Sequence, residues 1–166
     1  MKKAFSLIAL MCALAACAPK MDPKEVTRTV LAGKGIFAGI SLGDTWESVK
    51  ASHDPSFEVL EKPAQNMREL RRQLESLNYW FVSFDKLDPA GKITMMSMSV
   101  SGTEKNSVVV RQLNDEFLSH FERRFGKPNC NGSSCNFELP NHQQMTVSYG
   151  FDDKLNRGNL DVRVVQ

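Results

Sequence analysis

Residues 107–125 carry the pattern that most constrains the fold. Apolar side chains recur there at helical spacing along one face, at Val110, Leu113, Phe117, Phe121 and Phe125. Arg123 and Arg124 stand in the last turn, where the helix dipole favours cations, and Gly126 is placed for the left-handed residue that ends many helices. The pattern predicts one long amphipathic helix with strand-like segments on both sides.

The strand-like segments predict an antiparallel sheet. Residues 79–84 and 92–100 are rich in aromatic, β-branched and methionine residues, and the turn sequence Pro89-Ala90-Gly91 separates them, as in a hairpin. Three more strands are expected after the helix, at about 134–139, 143–150 and 159–165. We therefore predict an α+β fold, a two-layer sandwich with helices packed on one face of an antiparallel sheet.

Two shorter helices are expected before the hairpin. Asp44 followed by Glu47 is a capping-box pattern with Asp as the cap, and Pro55 prevents continuation. A short strand should follow at 57–60. Apolar residues at helical spacing then predict a second helix near 65–77, at Met67, Leu70, Leu74 and Leu77. Helices followed by strands recur in both halves, which is a weak twofold rhythm.

The N-terminus has the layout of a secretory signal. Lys2 and Lys3 precede an uncharged apolar run that is too short to span a bilayer. Leu14-Ala15-Ala16-Cys17 resembles the lipobox of bacterial lipoproteins, in which the cysteine is lipidated and becomes the first residue after cleavage. An ordinary signal cleaved after Ala16, or a retained signal anchor, is the alternative. By resemblance to the sorting pattern of lipoproteins, Ala18 implies the outer membrane, with the protein facing the periplasm.

We therefore divide the chain into three parts. Residues 1–16 are a lipoprotein signal peptide, residues 17–38 a tether rich in Pro, Gly and Lys, and residues 39–166 a single α+β domain. Without the signal the formal charge is zero, because the 21 Lys and Arg residues lose Lys2 and Lys3 and the 19 Asp and Glu residues remain. Nucleic acid is not an expected partner, since its phosphates need a concentrated basic surface.

The chain has four cysteines, and their positions in the sequence predict different roles. Cys12 leaves with the signal and Cys17 is the lipidation site. In an oxidising compartment Cys130 and Cys135, joined by a turn-forming tetrapeptide, predict a disulfide. A metal site at this pair would need further ligands, of which only His142 is near in sequence.

No catalytic or metal-binding site, cofactor or small-molecule substrate is predicted, because no P-loop, Gly-x-Ser-x-Gly or His-Glu-x-x-His motif occurs. Glu116 with His120 could form a base and its orienter, but an exposed helical pair is the simpler interpretation. Met95, Met96 and Met98 could bind Cu(I), yet strand alternation separates Met95 from the other two and favours core packing. Three basic residues of the second helix suggest a solvated face or a docking patch: Arg68, Arg71 and Arg72.

The segment around the first predicted helix carries a second resemblance. Gly43, Thr45, Val49 and Pro55 match the opening of SmpA/OmlA lipoproteins, which are accessory parts of the outer-membrane β-barrel assembly machine; the segment is also similar to the related fold of β-lactamase inhibitory proteins. His53-Asp54 replaces the usual Leu-Gly. The resemblance implies a lipid-anchored protein-binding or envelope-assembly accessory lipoprotein without catalysis, whose partner is another envelope protein. The alternative is an envelope inhibitor or immunity-type protein that blocks a specific enzyme.

Overall fold

The computed structural model describes residues 27–28, 30–55, 57–65, 67–74, 77–103, 107–152, 154 and 157–166. The predicted signal peptide, Cys17 and the first part of the predicted tether lie outside these residues. Residues 27, 28 and 30 are helical, and two longer helices follow, α1 (Trp46–Ser52) and α2 (Ser107–Phe125). The strands are β1 (Glu58–Lys62), β2 (Met67–Leu74), β3 (Leu77–Leu87), β4 (Ile93–Thr103), β5 (Asn129–Asn131), β6 (Ser134–Glu138), β7 (Gln144–Asp152) and β8 (Arg157–Val165).

The strands form one eight-stranded antiparallel sheet in the order β1-β2-β3-β4-β8-β7-β6-β5. The fold thus combines helices with an antiparallel sheet, as predicted, and the sheet dominates it. Among the described residues, α1 precedes strands β1–β4 and α2 precedes strands β5–β8, and the last strand of each group, β4 or β8, pairs with the other at the middle of the sheet. The weak twofold rhythm of the sequence therefore corresponds to a symmetric strand order.

Helix α2 packs on one face of the sheet, against β4, β6, β7 and β8. Its apolar stripe is fully buried at Val110, Leu113, Phe117 and Phe121, and the ring of Phe121 contacts that of Phe137 on β6. Gly126 follows α2 with a φ of 90°, the left-handed conformation predicted for it. The long helix predicted from the sequence is therefore confirmed, with its core face.

The N-cap of helix α1 lies one residue later than the predicted cap, Asp44. Thr45 is the N-cap: its hydroxyl accepts from the Ser48 N–H, and the Ser48 hydroxyl accepts from the Thr45 N–H. The Asp44 carboxylate instead accepts from the Ser41 N–H in the preceding turn. Trp46 and Val49 are buried, and the Trp46 ring lies 5.1 Å from that of Phe84 on β3.

The helix predicted near 65–77 is wrong, because Met67–Leu74 is strand β2. Leu70 of the predicted stripe is buried in the core, and it lies between Val59 on β1 and Val82 on β3 in the register. Residues with good helix propensity here complete a sheet, since pairing on both sides outweighs an intrinsic preference of a few tenths of a kcal/mol per residue.

The predicted tether is too long at its C-terminal end. Val30, Leu31, Ile36 and Phe37 are buried in the same core as α2 and the sheet. A close turn shapes this segment: Gly35 lies so near the backbone of Gly39 that a Cβ at Gly35 would overlap the Gly39 carbonyl. The folded domain therefore begins by Val30, before the predicted boundary at residue 39.

A polar open face of the sheet as the candidate functional site

On strands β4, β6, β7 and β8, the side chains on one face are buried in the core beside α2, and the other face carries mainly polar side chains. Strand alternation directs Met96, Met98 and Val100 of β4 into the core, where all three are fully buried. On the four strands β4, β8, β7 and β6, the alternate residues are half-buried or exposed. We call these residues the open face: Ser97, Ser99, Ser101, Asn159, Asp161, Arg163, Thr146, Ser148, Ser134 and Asn136.

The centre of the open face is the pair Ser99 and Asp161. The register of β4 and β8 runs from Met95 opposite Val165 to Thr103 opposite Arg157, and Ser99 opposite Asp161 is its midpoint. The Ser99 hydroxyl donates a hydrogen bond to the Asp161 carboxylate. An exposed carboxylate thus stands at the middle of the sheet, with Ser148 opposite it on β7.

Arg163 lies two residues from Asp161 on the same face. Its guanidinium donates to the Met95 thioether at 3.0 Å. Neither Asp161 nor Arg163 forms an ion pair with another residue in the described part of the chain. Both charges therefore keep hydrogen-bonding capacity, because a thioether is a weak acceptor and a carboxylate accepts several bonds.

Hydrogen bonds between neighbouring strands continue away from the centre. The Thr146 hydroxyl donates to the Asn136 side chain at 2.8 Å, and the Ser83 hydroxyl donates to Glu69 at 3.3 Å. Two aromatic residues occupy the adjoining register positions on β3, where Phe81 is opposite Ser99 and Tyr79 is opposite Ser101. Short hydroxyl and amide side chains are common on surfaces that bind other proteins through adaptable hydrogen bonds.

The short hydroxyl side chains of the open face affect how readily another molecule can cover it. Its hydroxyls are short, so covering them immobilises few rotatable bonds and carries a small entropic penalty. A nucleophile would need a base in hydrogen-bond reach. The Ser99 hydroxyl donates to the Asp161 carboxylate, and none of the three histidines belongs to the open face.

The predicted disulfide is present. Cys130 and Cys135 are directly opposite each other in the β5–β6 hairpin and are bonded, with their Cα atoms 4.0 Å apart. Cys130 is exposed and Cys135 is buried, so the bond fixes the edge hairpin of the sheet to the core beneath it. Cys17, the predicted lipidation site, lies outside the described residues.

The three histidines stand on different elements. His53 ends α1, and its Nδ1 lies 2.7 Å from the Lys50 carbonyl oxygen. His120 lies on α2 and His142 in the turn Pro140–His142. The Nε2 atom of His120 is buried without a hydrogen-bond partner, and burial lowers the pKa of this imidazole, with further lowering by Arg124 and Arg123. His120 is therefore not the exposed partner of Glu116 that its spacing suggested.

The methionine and arginine groups are divided between the two faces of the sheet. Met96 and Met98 are fully buried whereas Met95 is half-buried on the other face, as alternation predicted. Arg71 is opposite Glu58 and lies 3.9 Å from Glu69, whereas Arg68 is opposite Glu61 on the alternate face. The basic flank expected of a helix is thus absent, because β2 is a strand.

A charged cluster fastens α1 to β1. The Lys50 ammonium lies 2.7 Å from the Glu47 carboxylate and 3.4 Å from that of Glu61, and its hydrogen bond to Glu47 is the main cause that raises its pKa. The Trp46 indole N–H is buried and completes no hydrogen bond of standard geometry. The Trp46 indole N–H nevertheless has the largest effect in lowering the pKa of Glu61, and the attraction of Lys50 lowers it further. The arrangement joins two elements of the fold.

Among the described residues, no group of three or more His, Cys, Asp or Glu side chains is placed to hold a metal ion. Within the same residues, no helix has both the length and the apolar character needed to cross a bilayer. No protein-family model, curated protein or solved structure matches this chain.

The open face was missed in the sequence although its signal is present. The segments Ser97–Ser101 and Asn159–Arg163 place short polar or charged residues at every second position, between buried apolar ones. This strict period of two identifies one wet and one dry face of a strand. Only the register of β4 with β8 shows that the polar positions of the two segments form one surface.

Proposed function

We propose that this protein is a lipid-anchored periplasmic lipoprotein that binds another envelope protein through its open face and performs no catalysis. The observation that carries the proposal is the contrast between the two faces of the sheet. One is covered by α2 and the apolar core, and the other presents hydroxyl, amide and two unpaired charged side chains across the four strands β4, β8, β7 and β6.

We also propose the finer architecture, a two-layer arrangement in which α1, α2 and the segment 30–40 together form the layer opposite the open face. All three contribute side chains to one apolar core. A layer on only one side leaves the other face of the sheet free for a partner. The SmpA/OmlA resemblance supports an accessory role in envelope assembly.

Cross-linking in cells tests the binding surface. A photoreactive amino acid is introduced at Ser101 or Ser148 on the open face, and at Asp115 or Gln112 on the exposed side of α2 as matched controls. The proposal predicts that the two open-face positions form an adduct with the same protein, identified by mass spectrometry, and that the helix positions do not. Adducts from the helix positions alone would place the binding surface elsewhere.

The identity of the captured protein separates the two candidate roles. An envelope-assembly accessory should be cross-linked to membrane machinery of its own cell. An inhibitor or immunity-type protein should be cross-linked to one enzyme, whose activity falls when the two purified proteins are mixed in equal amounts. Replacement of His53, His120 and His142 together by Gln should leave the cross-link in place, whereas its loss from a folded triple variant would favour an enzyme or a metal carrier.

A further inference from the structure

The chain enters the folded domain beside the C-terminal end of α2. The Ala38 N–H donates to the Val30 carbonyl, which closes the entering segment into a compact turn. The Arg124 guanidinium then donates to the carbonyl oxygens of Gly35, at 2.5 Å, and Lys34. We call this end of the domain the entry end.

Strand β4 begins at the entry end. The Gly43 N–H donates to the Ile93 carbonyl, and the Ile93 N–H donates to the Asp44 carbonyl. The segment from Gly35 to Gly43 thus passes from the last turn of α2 to the first residue of β4. The start of α2 lies at the opposite end of the domain, about 28 Å away for a helix of 19 residues.

Basic side chains are concentrated in residues 27–40 and 119–128, which meet at the entry end, whereas Asp44 and Asp88 lie at the start of β4. Within residues 27–40 and 119–128, as far as they are described, Glu122 is the single acidic residue. The basic residues of the same two segments are all exposed, and we call them the entry patch: Arg28, Lys34, Arg123, Arg124 and Lys127. A chain that is neutral after removal of its signal therefore has a local excess of positive charge where it enters the domain.

Contacts that stabilise the fold account for two of the five residues of the entry patch. Arg123 and Arg124 complement the negative end of the α2 dipole, and Arg124 also holds the entering segment. Within the described part of the chain, the side chains of Arg28, Lys34 and Lys127 form no ion pair. The positive potential of this end is felt by its neighbours, since Arg124 and Arg123 both help to lower the pKa of His120.

We propose that the entry patch binds the anionic phospholipid headgroups of the membrane that carries the lipid anchor. This inference rests on the proposed anchor at Cys17. Residues 18–26 separate Cys17 from Thr27, the first described residue, and ten residues at full extension span at most about 35 Å, so the anchor keeps the patch near the headgroups. Lys and Arg residues near an anionic leaflet are attracted to it.

Contact between the entry patch and the headgroups determines how the open face is oriented relative to the membrane. With the entry end on the membrane, β4 rises from the bilayer and the opposite end of α2 points away from it. The open face is then turned sideways, parallel to the membrane normal. It presents Asp161 and its neighbours to a partner that is itself held at the same membrane.

Vesicle sedimentation tests the lipid contact without the anchor or the protein partner. The protein used is residues 17–166 with Cys17→Ser, since every described contact lies at or after Thr27. The patch variant combines Lys34→Gln, Arg123→Gln and Lys127→Gln and keeps Arg124. The control variant removes three basic residues elsewhere, with Arg111→Gln, Lys154→Gln and Arg157→Gln. Circular dichroism verifies that each is folded.

The parent protein should bind vesicles containing about 30% phosphatidylglycerol and not vesicles of phosphatidylcholine alone, at an ionic strength of about 0.1 M. The patch variant should bind the anionic vesicles at least about tenfold more weakly, because each basic residue near the surface contributes about fivefold. The control variant should bind like the parent. No binding, equal binding to both vesicles, or equal loss in both variants would overturn the inference. Cross-linking from the open face fails or succeeds independently of this result.

Discussion

The hydroxyl of Ser99 donates a hydrogen bond to the carboxylate of Asp161 at the midpoint of the central strand pair. The two residues come from different halves of the chain, which supply strands β1–β4 and β5–β8. Their contact therefore lies where the two halves meet, on the face that the helices leave open. That face, the segment that leads into the domain and the disulfide at the edge of the sheet each give a testable prediction.

Gly35→Ala tests whether residues 30–40 belong to the folded domain. A methyl group at Gly35 would overlap the Gly39 carbonyl and force the segment away from the core, so the free energy of unfolding should fall by about 1–3 kcal/mol in urea denaturation. Gly150→Ala is the matched control, since a Cβ there meets nothing within 4 Å, and it should change stability by less than about 0.5 kcal/mol. Equal stability of the two variants would instead support the predicted boundary, with a tether that extends to residue 38.

His120 makes stability depend on pH in a defined direction. Burial, with Arg124 and Arg123, lowers the pKa of the folded-state imidazole, so the unfolded chain binds the proton first as the pH falls. Stability should therefore decrease as the pH drops through about 6.5, the pKa of an unperturbed histidine, and level off below the folded-state pKa. Urea midpoints between about pH 5 and pH 8 should show a shallower decrease in His120→Gln. His142→Gln, at an exposed site, should retain the decrease of the parent protein.

Loss of the disulfide should weaken the edge of the sheet. The loop-entropy relation assigns about 2 kcal/mol to a ring as short as that between Cys130 and Cys135, so the double variant Cys130→Ser with Cys135→Ser should unfold at lower urea concentration. Reduction of the parent protein should give the same decrease. Alkylation of both cysteines in unreduced protein would contradict the bond.

Membrane attachment should depend on Cys17 and not on Cys12. Cys17→Ser should block processing or release the protein from membranes, because it removes the proposed acylated residue. Cys12→Ser lies in the same apolar run and should leave processing and fractionation unchanged. Normal cleavage with unchanged membrane partitioning of Cys17→Ser would contradict the lipoprotein assignment.

Much of the fold can be predicted from sequence patterns that span only a few residues. The stripe from Val110 to Phe121 and the left-handed Gly126 were predicted because helix period and capping act within a few residues. Strand β2 was missed because Met67, Leu70 and Leu74 satisfy a helical spacing, while the pairing that makes them a strand comes from β1 and β3. The segment 30–37 was taken for a tether because its glycines favour flexibility, whereas its burial depends on Arg124, far along the chain.

The candidate site shows the same limit. The alternating serines of β4 are visible in the sequence, but the pairing of Ser99 with Asp161 joins residues that are 62 positions apart in the chain. Periodicity identifies which residues point away from the core. Register and strand order, which depend on the whole sheet, decide which of them meet.

Cysteine labelling in cells tests the central claim most directly, because it asks whether the open face is covered. Ser148→Cys on the open face and Asp115→Cys on exposed α2 are each labelled with a membrane-impermeant maleimide, once as purified protein and once in cells whose outer membrane has been permeabilised. The account predicts that Ser148→Cys reacts readily when purified and is protected in cells, while Asp115→Cys reacts equally in both. Equal reactivity of Ser148→Cys in the two settings would contradict it.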